Sequence, residues 1–592
     1  MEQQLNFELQ GNDPRVSFMA GMRRLVLDEA RATRDRIQQG WSRPVPRRVA
    51  DGLAIEGLRV EQVRLDGDLE LVCVQNHSRF REGDTLCLNR GNPFEPPRAM
   101  VTLESDDETR LLVSLADLGI TWAELLTKAD GWVLDEGYLD LSHYFLDALD
   151  EVADSVVGRE RVLPLLMGRA APKIDVERWE RGMGLADSVG LNWSQAEAFA
   201  NAYAADLAYC IQGPPGTGKT RVLAHLASAL AEDGERVLVT AFTHRAINNA
   251  LNKLDEVASD TAAIKIGRTT RADDLAVENY EYFDTSPMAA MKGGYVIGAT
   301  PFAPRTRRLG GVEFETVIFD EASQITLPLA VMGMLAGKKF IFIGDQQQLP
   351  PVLTTRYSGG AFRDSVFGVL AERGFDTMLT DTYRLSAELV AWPSRHFYQD
   401  RLVPVEDAAQ RRIDYSQPPA RLAEILDPEA PKVFVDLGHH NVTTRSHKEA
   451  GVVVDLIETL LACGVAAGEI GVVAPYGAQG REIRNLLRQV LPGTATRKQI
   501  VVDTVERMQG QERDVVIVSL TTSNPTFAAN LAEFFFQPER LNVAVTRPRK
   551  KLILVGSRHV LKAEPEHEEW QQAVELFKDL LDSCAYFSLY LP

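Results

Sequence analysis

Hydrophobic and polar positions follow three successive patterns along the chain. Residues Val16 to Gln39 mix apolar and charged positions in the way of a long charged helix, which Gly40, Pro44 and Pro46 would end. From residue 48 to residue 115 the pattern changes to short alternating runs separated by glycine-containing turns. Five short strands of this kind predict a small β-barrel, and helical and loop segments follow it.

The third pattern begins at Tyr209, where strands and helices alternate as in a parallel sheet covered on both faces. A second unit of the same kind begins near Met378, with helices predicted at Lys448–Ala462 and Ala478–Val490. The strands predicted for the first unit are Val237–Phe242, Ala263–Ile266, Tyr295–Ala299, Thr316–Phe319 and Lys339–Gly344. Those predicted for the second are Val433–Asp436, Ile470–Ala474, Ile500–Asp503, Val515–Leu520 and Leu552–Val555.

Length and composition predict three or four globular domains, since the chain has 592 residues, of which 45% are hydrophobic and 25% charged. The first ten residues, MEQQLNFELQ, lack the basic region and apolar core of a signal peptide. The longest apolar stretch, Leu327 to Ala336, is too short to span a bilayer. The five cysteines form no C-x-x-C pair, which indicates reduced thiols and disfavours an iron–sulfur cluster or a zinc ribbon. We therefore expect no membrane partner and a location in the cytoplasm, the nucleoid or the nucleus.

The formal net charge of −19 does not exclude a nucleic-acid partner. Only the groove that touches phosphates must be basic, whatever the charge of the whole chain. Arg305, Arg307 and Arg308 form one candidate basic spot, and a solvated loop is the alternative interpretation of this run.

The segment GPPGTGKT at residues 213–220 predicts a phosphate-binding loop, because an apolar run ending at Gln212 precedes it and a helical segment follows it. The backbone amides of such a loop curl around phosphates, and the helix N-terminus adds partial positive charge. Lys219 would reach the β- and γ-phosphates, and the Thr220 hydroxyl would bind Mg²⁺. The loop residues that we expect to bind ATP are Gly213, Pro214, Gly216, Thr217, Gly218, Lys219 and Thr220.

A pair of carboxylates follows the predicted strand Thr316–Phe319. Asp320, at the tip of a buried strand, is placed to hold Mg²⁺, and Glu321 is placed to orient the attacking water. An acidic strand end that faces solvent is the alternative for this pair alone. Together with the loop, the pair predicts hydrolysis of a nucleoside triphosphate.

Further motifs follow in order from Leu191 to Gly556. They read LNWSQ (191–195), GDQQQLPP (344–351), TYR (382–384), VERMQGQE (505–512) and RLNVAVTR (540–547). Their order and spacing resemble those of superfamily 1 helicases that move 5′ to 3′. That branch holds the nonsense-mediated-decay helicase, the immunoglobulin-mu-binding helicase and the helicase half of the Okazaki-processing nuclease–helicase. The N-terminal helix and barrel resemble the stalk and barrel inserted in the same branch.

The resemblance implies an α/β fold with two RecA-like parallel-sheet domains in tandem, an N-terminal helical stalk and a small β-barrel. It divides the chain into a stalk helix (1–45), the barrel (46–125), a helical return segment (126–190), a first RecA-like domain with the P-loop (191–376) and a second with a C-terminal helix (377–592).

The resemblance also assigns roles around ATP. Gln195 would read the adenine edge, and Gln347 would sense the γ-phosphate, with Gln346 and Gln348 as rivals. The remaining roles are base stacking for Tyr383, phosphate contact for Arg384, contact with the γ-phosphate and ribose side for Gly510 and Glu512, and an arginine finger for Arg547. Pro548 departs from the small helix former that the family has after the finger, so we expect the helix to end at Arg547.

Strand-binding segments follow three of the predicted strands. Small hydroxyls and exposed amides there suit phosphates, although ordinary strand-end turns are the alternative for each segment. By resemblance the contacts are Thr240, Phe242, Thr243, His244, Thr300, Pro301, Pro475 and Tyr476.

The sequence therefore predicts an ATP-dependent helicase or translocase that moves 5′ to 3′ on single-stranded nucleic acid, with DNA favoured over RNA, and that uses ATP and Mg²⁺. An RNA helicase of the same branch and an ATP-gated clamp that does not unwind are the alternatives. A fused nuclease is disfavoured, because no D…E-x-K constellation precedes Leu191. We expect a monomer whose apolar tail, AYFSLYLP, docks on the core or holds a protein partner.

Overall fold

The computed structural model describes residues 13–589 except 65–66, 77, 81, 108, 116–128, 269–273, 356–361, 363 and 372. Its described part contains a long N-terminal helix, a closed barrel, a helical segment and two parallel sheets in series. This arrangement confirms the predicted α/β class with two RecA-like domains, a stalk and a barrel.

The stalk helix, Pro14–Trp41, connects the first sheet domain to the barrel and extends two residues beyond its prediction at each end. The Asp13 side chain caps it by accepting a hydrogen bond from the backbone of Arg15, and Pro14 occupies the first turn, where no backbone donor is needed. Met22 lies in the core of the first sheet domain, whereas Trp41 packs at the barrel. A short helix, Val45–Ala50, leads into the barrel.

The barrel contains six antiparallel strands within the residues described, so the prediction of five strands was wrong by one. The sixth strand closes the barrel by pairing with the first and third, and it lies beyond the boundary predicted at residue 125. A buried Arg48–Asp135 ion pair of 2.6 Å fixes this closing strand to the preceding helix. The strands are β1 Ala54–Val63, β2 Leu69–Val72, β3 Thr85–Asn89, β4 Arg98–Asp107, β5 Arg110–Leu115 and β6 Trp132–Glu136.

A helical segment returns from the barrel to the first sheet. Its first helix carries buried Leu149 and Val152 into the core that also holds Met22 of the stalk. The helices of this segment are Ser142–Asp154, Leu163–Leu166 and Val176–Ser188, with a π-helical turn at Gly158–Val162.

The first sheet has eight parallel strands in the described ranges, in the order β10-β9-β11-β8-β12-β13-β7-β14. Its last strand begins at the boundary predicted at residue 376 and ends two residues beyond it, so this sheet extends slightly further than expected. The strands are β7 Ala208–Gln212, β8 Arg236–Ala241, β9 Ala263–Ile266, β10 Glu278–Tyr280, β11 Tyr295–Gly298, β12 Phe314–Asp320, β13 Gly337–Gly344 and β14 Asp376–Met378. The helices around it are Trp193–Ala204, Lys219–Glu232, His244–Val257, Leu327–Met334 and Val366–Ala371.

A two-stranded pair, β15 Asp381–Thr382 and β16 Val403–Pro404, precedes the second sheet, which has the order β19-β18-β20-β21-β17-β22 in the part of the chain that is described. Phe434 faces one core cluster and its neighbours Val433 and Val435 face the other, as expected for a sheet covered on both sides. The strands are β17 Lys432–Asp436, β18 Ile470–Val473, β19 Val501–Asp503, β20 Arg513–Ser519, β21 Pro548–Gly556 and β22 Ala585–Ser588. The helices are Ala387–Phe397, Glu406–Ala409, His447–Ala462, Gly477–Val490, Thr494–Gln499, Val505–Met508, Pro525–Asn530, Ala532–Phe535, Pro538–Val545 and Glu568–Asp582.

The C-terminal tail docks on this second domain. Phe577 and Leu580 of the last helix are buried in its core, and β22 adds a parallel strand beside β17. Of the two outcomes considered for the tail, docking is the one observed. Among the residues described, no helix is both long and apolar enough to cross a membrane, and none of the five cysteines forms a disulfide.

Candidate nucleotide site and strand channel

The phosphate-binding loop joins β7, an interior strand of the first sheet, to the helix that begins at Lys219. Gly216 and Gly218 have φ angles of +76° and +82°, which glycine adopts without strain. The hydroxyl of Thr217 donates to the Pro214 carbonyl over 2.8 Å, and the Lys219 ammonium donates to the Gly213 carbonyl. The loop is therefore already curled around the end of the lysine side chain.

The second domain contacts this loop directly. The Thr382 hydroxyl donates to the Pro215 carbonyl over 2.8 Å, and the Tyr383 amide donates to the Gly216 carbonyl over 2.8 Å. A Cβ atom on Gly216 would lie 2.4 Å from Cβ of Arg384, so only glycine allows this approach. The predicted base-stacking and phosphate residues therefore lie beside the loop.

The carboxylates stand where β12 ends, two strands away from β7. Burial and the neighbouring Glu321 carboxylate raise the pKa of Asp320 to about 7, against the opposing effect of Lys219. Glu321 has a φ of +50°, and its carboxylate accepts a hydrogen bond from Nε2 of Gln509, in the second domain, over 3.3 Å. The residue expected to orient water is therefore in direct contact with the second domain.

The donors at this site fit Mg²⁺. Asp320 offers a buried carboxylate and Thr220 a hydroxyl, and Mg²⁺ prefers such oxygen ligands. Oγ of Ser323, one turn further on, is buried without a hydrogen-bond partner in the described structure, so a polar partner can be accommodated there.

Gln195 lies against the loop rather than facing open space. Its Nε2 donates to the Thr217 carbonyl over 2.9 Å, and its Oε1 accepts from the backbone of Asn192 over 3.1 Å in a capping box. Nδ2 of Asn192 in turn donates to the Tyr383 hydroxyl over 2.9 Å. The adenine-reading role of Gln195 stays a prediction, and it requires this amide to exchange a protein partner for the base.

The three glutamines that follow β13 differ in their surroundings, and the sensor role of Gln347 stays a prediction. Gln348 is buried and its Nε2 donates to Oδ2 of Asp345 over 2.9 Å. Oε1 of Gln346 is buried without a partner in the described residues. The Gln347 side chain is half-buried and forms no hydrogen bond within the described part of the chain, so it can turn to a ligand.

A buried hydrogen-bond network connects this segment to the second domain. The Tyr398 hydroxyl donates to Oδ2 of Asp345 over 2.8 Å, and Nδ2 of Asn542 lies 2.8 Å from both the Tyr398 hydroxyl and the Gln347 carbonyl. Burial raises the pKa of Asp345, and the hydrogen bonds from Gln348 and Tyr398 oppose that rise. Sequence reasoning missed the parts played by Asp345, Tyr398 and Asn542.

Two residues predicted to contact ATP are paired with each other across the second domain. Nε of Arg384 lies 2.6 Å from Oε2 of Glu512, and Arg549 approaches the same carboxylate at 3.5 Å. Burial works to raise the pKa of Glu512, but the charge of Arg384, with Arg549 and Arg547, holds that pKa below its ordinary value. Gly510, with a φ of +72°, is exposed nearby in sequence.

Arg547 is buried in the cleft and bonded to its own domain. Its Nε donates to the Val543 carbonyl over 2.9 Å. Burial lowers the pKa of Arg547 to about 9, Arg384 adds to the shift, and Glu321 of the first domain opposes it. The preceding helix ends at Val545, two residues before the predicted end, and Pro548 begins β21. The guanidinium therefore interacts electrostatically with Glu321 of the first domain, while its hydrogen bonds stay within the second domain.

A cavity of about 1340 Å³ opens between the barrel and the two sheet domains. Four of the predicted strand contacts line it, namely Phe242, Thr243, His244 and Tyr476. Phe242 is 57% exposed, as a base-stacking platform would be, and the Thr243 hydroxyl caps the helix that begins at His244. We name this cavity the strand channel.

The other four predicted strand contacts lie outside the described lining of the channel. Thr240 is buried within β8, and Pro301 packs near Gly333. Thr300 and Pro475 are half-buried at their strand ends.

The basic wall of the channel differs from the candidate spot at Arg305, Arg307 and Arg308. Arg305 pairs with Glu151, Arg308 pairs with Glu281 and Arg307 lies over the Tyr282 ring. The channel is instead lined by Arg79, Arg245, Arg481, Arg484, Arg488, Lys498 and Arg507. The recurrence of arginine in the predicted helix Ala478–Val490 was a usable sequence signal for this wall.

Parts of the chain are similar to known ATPase domains and helicases. Residues 190–390 and residues 362–559 each match the family description "AAA domain". The "DNA replication ATP-dependent helicase/nuclease DNA2" of Saccharomyces cerevisiae is 28% identical over 455 residues, which cover 71% of this chain and 29% of that protein. The "DNA polymerase alpha-associated DNA helicase A" of Schizosaccharomyces pombe is 26% identical over 489 residues, covering 70% of this chain and 71% of that protein.

Among solved structures, "Crystal structure of Arterivirus nonstructural protein 10 (helicase)" is 13% identical with a TM-score of 0.38, covering 90% of this chain and 82% of that one, a likeness too distant to carry further conclusions. The chain spans well under half the length of the helicase/nuclease relatives, 29% of the yeast protein and 38% of the mouse one.

Fold and site together define a P-loop ATPase with two RecA-like domains. The two AAA-domain matches and the similarity to these helicase/nuclease and polymerase-associated relatives support a superfamily 1 helicase, an ATP-hydrolysing enzyme, of the same branch. This confirms the resemblance predicted from the order of the motifs.

Proposed function

We propose that the protein is an ATP-driven motor that moves 5′ to 3′ along single-stranded nucleic acid and unwinds duplexes ahead of it. The observation that carries the proposal is the cleft between the sheet domains. There the phosphate-binding loop of the first domain hydrogen-bonds to Thr382 and Tyr383 of the second. A nucleotide bound in this cleft would change the separation of the domains, and with it the grip on a strand that touches both.

In the proposed cycle Lys219 binds the β- and γ-phosphates and Glu321 orients the attacking water. Asp320 and Thr220 would hold Mg²⁺, which when bound would supply positive charge against the charge of the phosphates. Arg547 would leave its backbone partner and stabilise the charge that develops on the transferred phosphoryl group. Gln347 would sense that group and pass the signal through the Asn542 contact.

The strand is proposed to lie in the strand channel, which both sheet domains and the barrel line. Exposed Phe242 suits stacking on a base, and the helix N-terminus at His244 suits a phosphate. The printed names of the relatives favour DNA as the track. We take the working unit to be a monomer in the cytoplasm or nucleus, since one chain supplies both sides of the ATP cleft.

The test is an ATPase assay without nucleic acid, with single-stranded DNA and with single-stranded RNA, run beside Lys219→Ala. We expect strong stimulation by DNA and no hydrolysis by the variant. Stimulation by RNA alone would name RNA as the track. Duplexes with a 5′ or a 3′ overhang then test direction, and the proposal expects unwinding of the 5′-tailed duplex. Stimulated hydrolysis with every duplex left intact would instead indicate an ATP-gated clamp, and no stimulation by either polymer would overturn the motor.

A further inference from the structure

One helix of the second domain carries three arginines into the strand channel. Arg481, Arg484 and Arg488 lie on the helix Gly477–Val490, and all three line the cavity. Residues separated by three, four and seven positions share one face of a helix, so the three guanidinium groups form a row. The row is about 10 Å long at 1.5 Å of rise per residue, a distance over which a strand presents several phosphates.

The row concentrates positive charge in a partly buried place. Burial, together with the neighbouring charges of Arg488 and Arg481, lowers the pKa of Arg484 to about 10. Burial also lowers the pKa of Arg507 to about 10, with Arg79 of the barrel contributing. Like charges held this close destabilise one another unless an anion lies between them.

The barrel places carboxylates on the opposite side of the same cavity. Glu82, Asp84 and Asp106 all line it, and the charge of Asp106 acts on Arg484 against the burial effect. Next to Asp106, the carboxylate of Asp107 forms an ion pair with Lys498 of the second domain. The barrel is therefore tied to the second domain at the rim of the channel, with its acidic edge facing the row.

We propose that the arginine row binds successive backbone phosphates of the strand, and that the acidic edge of the barrel takes their place when no strand is bound. The inference rests on the proposed function and adds a binding site and its regulation. Strand entry exchanges carboxylates for phosphates and breaks the Asp107–Lys498 pair, so the barrel is released from the second domain as the motor engages its track.

The first test measures how the affinity for a single strand depends on salt concentration when arginines of the row are replaced. Arg481→Gln and Arg488→Gln should each weaken binding to an oligothymidine strand, without loss of ATP binding. Each should also reduce the slope of log affinity against log salt by about 0.7, the value for one single-strand phosphate contact. Arg395→Gln is the matched control, because Arg395 is exposed on a second-domain helix outside the described lining of the channel. Unchanged slopes in both row variants would overturn the site.

The second test measures how the acidic edge affects affinity for the strand, and removing its charges is expected to raise that affinity. Asp106→Asn combined with Asp107→Asn should strengthen binding to the same strand several-fold, and Asp84→Asn should act in the same direction. Glu56→Gln, an exposed barrel carboxylate outside the described lining, should change nothing. Weaker or unchanged binding in both acidic-edge variants would refute the exchange. A wild-type protein that binds neither DNA nor RNA would instead refute the proposed function, so the two failures are distinct.

Discussion

The Tyr398 hydroxyl donates a hydrogen bond of 2.8 Å to the Asp345 carboxylate, and this contact joins the end of a first-domain strand to a second-domain helix. Asn542 extends the contact, since its Nδ2 reaches both that hydroxyl and the Gln347 carbonyl at 2.8 Å. All three side chains are buried at the interface beside the predicted γ-phosphate sensor. A movement of the Gln347 backbone would therefore act directly on the second domain through Asn542.

Tyr398→Phe removes one hydroxyl from this network and leaves a buried carboxylate short of a donor. Hydrogen bonds to charged groups contribute about 1.5–3 kcal/mol, so we expect the free energy of unfolding to fall by about that amount. We expect kcat for ATP to fall about tenfold, equivalent to about 1.4 kcal/mol of activation free energy, with KM nearly unchanged. Denaturant unfolding and steady-state ATPase measure the two effects. A variant with lowered stability but unchanged kcat would show that the network only holds the domains together.

Arg547→Ala should abolish most hydrolysis while ATP still binds. An arginine finger contributes about a thousandfold or more to turnover, because it stabilises charge that is present only in the transition state. Single-turnover hydrolysis and fluorescent-nucleotide binding separate the two quantities, and Arg395→Ala on an exposed helix face is the control. Equal losses of binding and turnover would mean that Arg547 contributes to binding ATP in the ground state and not to stabilising the transition state.

Gly216→Ala tests the close approach of the second domain to the phosphate-binding loop. Its Cβ would lie 2.4 Å from Arg384 Cβ and 2.6 Å from Thr382 Oγ1, in addition to the strain of a φ of +76°. We expect loss of ATP binding and a stability cost above the about 1–2 kcal/mol due to strain alone. Gly234→Ala is the matched control, since Gly234 has a φ of +87° and open space around it. It should lose only the strain energy and keep its ATP affinity.

Strand positions in both sheets were predictable because buried parallel strands are continuous apolar runs. Ala263–Ile266 was placed to the residue, and β13 was placed from Lys339 where it begins at Gly337. The sixth barrel strand was missed because WVLDE is short and lies in a segment interpreted as helices and loops. Barrel closure depends on pairing between distant strands, and local pattern carries no information about such pairing.

The parts of the ATP site that could be predicted are those that lie in local sequence motifs. The loop is one contiguous segment, residues 213–220, and Asp320 and Glu321 are adjacent to each other at the end of an apolar run, so each motif could be recognised locally. Tyr398 and Asn542 are single polar residues whose importance arises only when two domains meet, so nothing local distinguishes them. The pairing of Arg384 with Glu512 was equally invisible, since it joins two motifs that had each been assigned to the nucleotide.

The stalk helix is hydrogen-bonded to the loop that follows the predicted γ-phosphate sensor. The Glu29 carboxylate accepts hydrogen bonds of 2.7 Å from the backbone amides of Thr354 and Thr355. At its far end the same helix contacts the barrel, where the Trp41 indole donates to the Glu136 carbonyl over 2.8 Å. A continuous rigid helix thus connects the sensor segment to the barrel, and we expect it to transmit the state of the nucleotide.

Glu29→Ala should therefore uncouple the two sites while leaving each intact. We expect ATPase activity without nucleic acid to stay near the wild-type value, and stimulation by a single strand to fall severalfold. Glu29→Ala removes three charge-assisted hydrogen bonds, the two from the backbone amides and one from the Thr355 hydroxyl, and should lower the free energy of unfolding by at least about 1.5–3 kcal/mol. Asp35→Ala on the same helix is the control, because within the described residues its carboxylate forms a single loose ion pair of 3.9 Å, with Arg34 at the surface. Full stimulation in Glu29→Ala would assign the coupling to the buried Tyr398 network and leave the stalk as a mechanical support for the barrel.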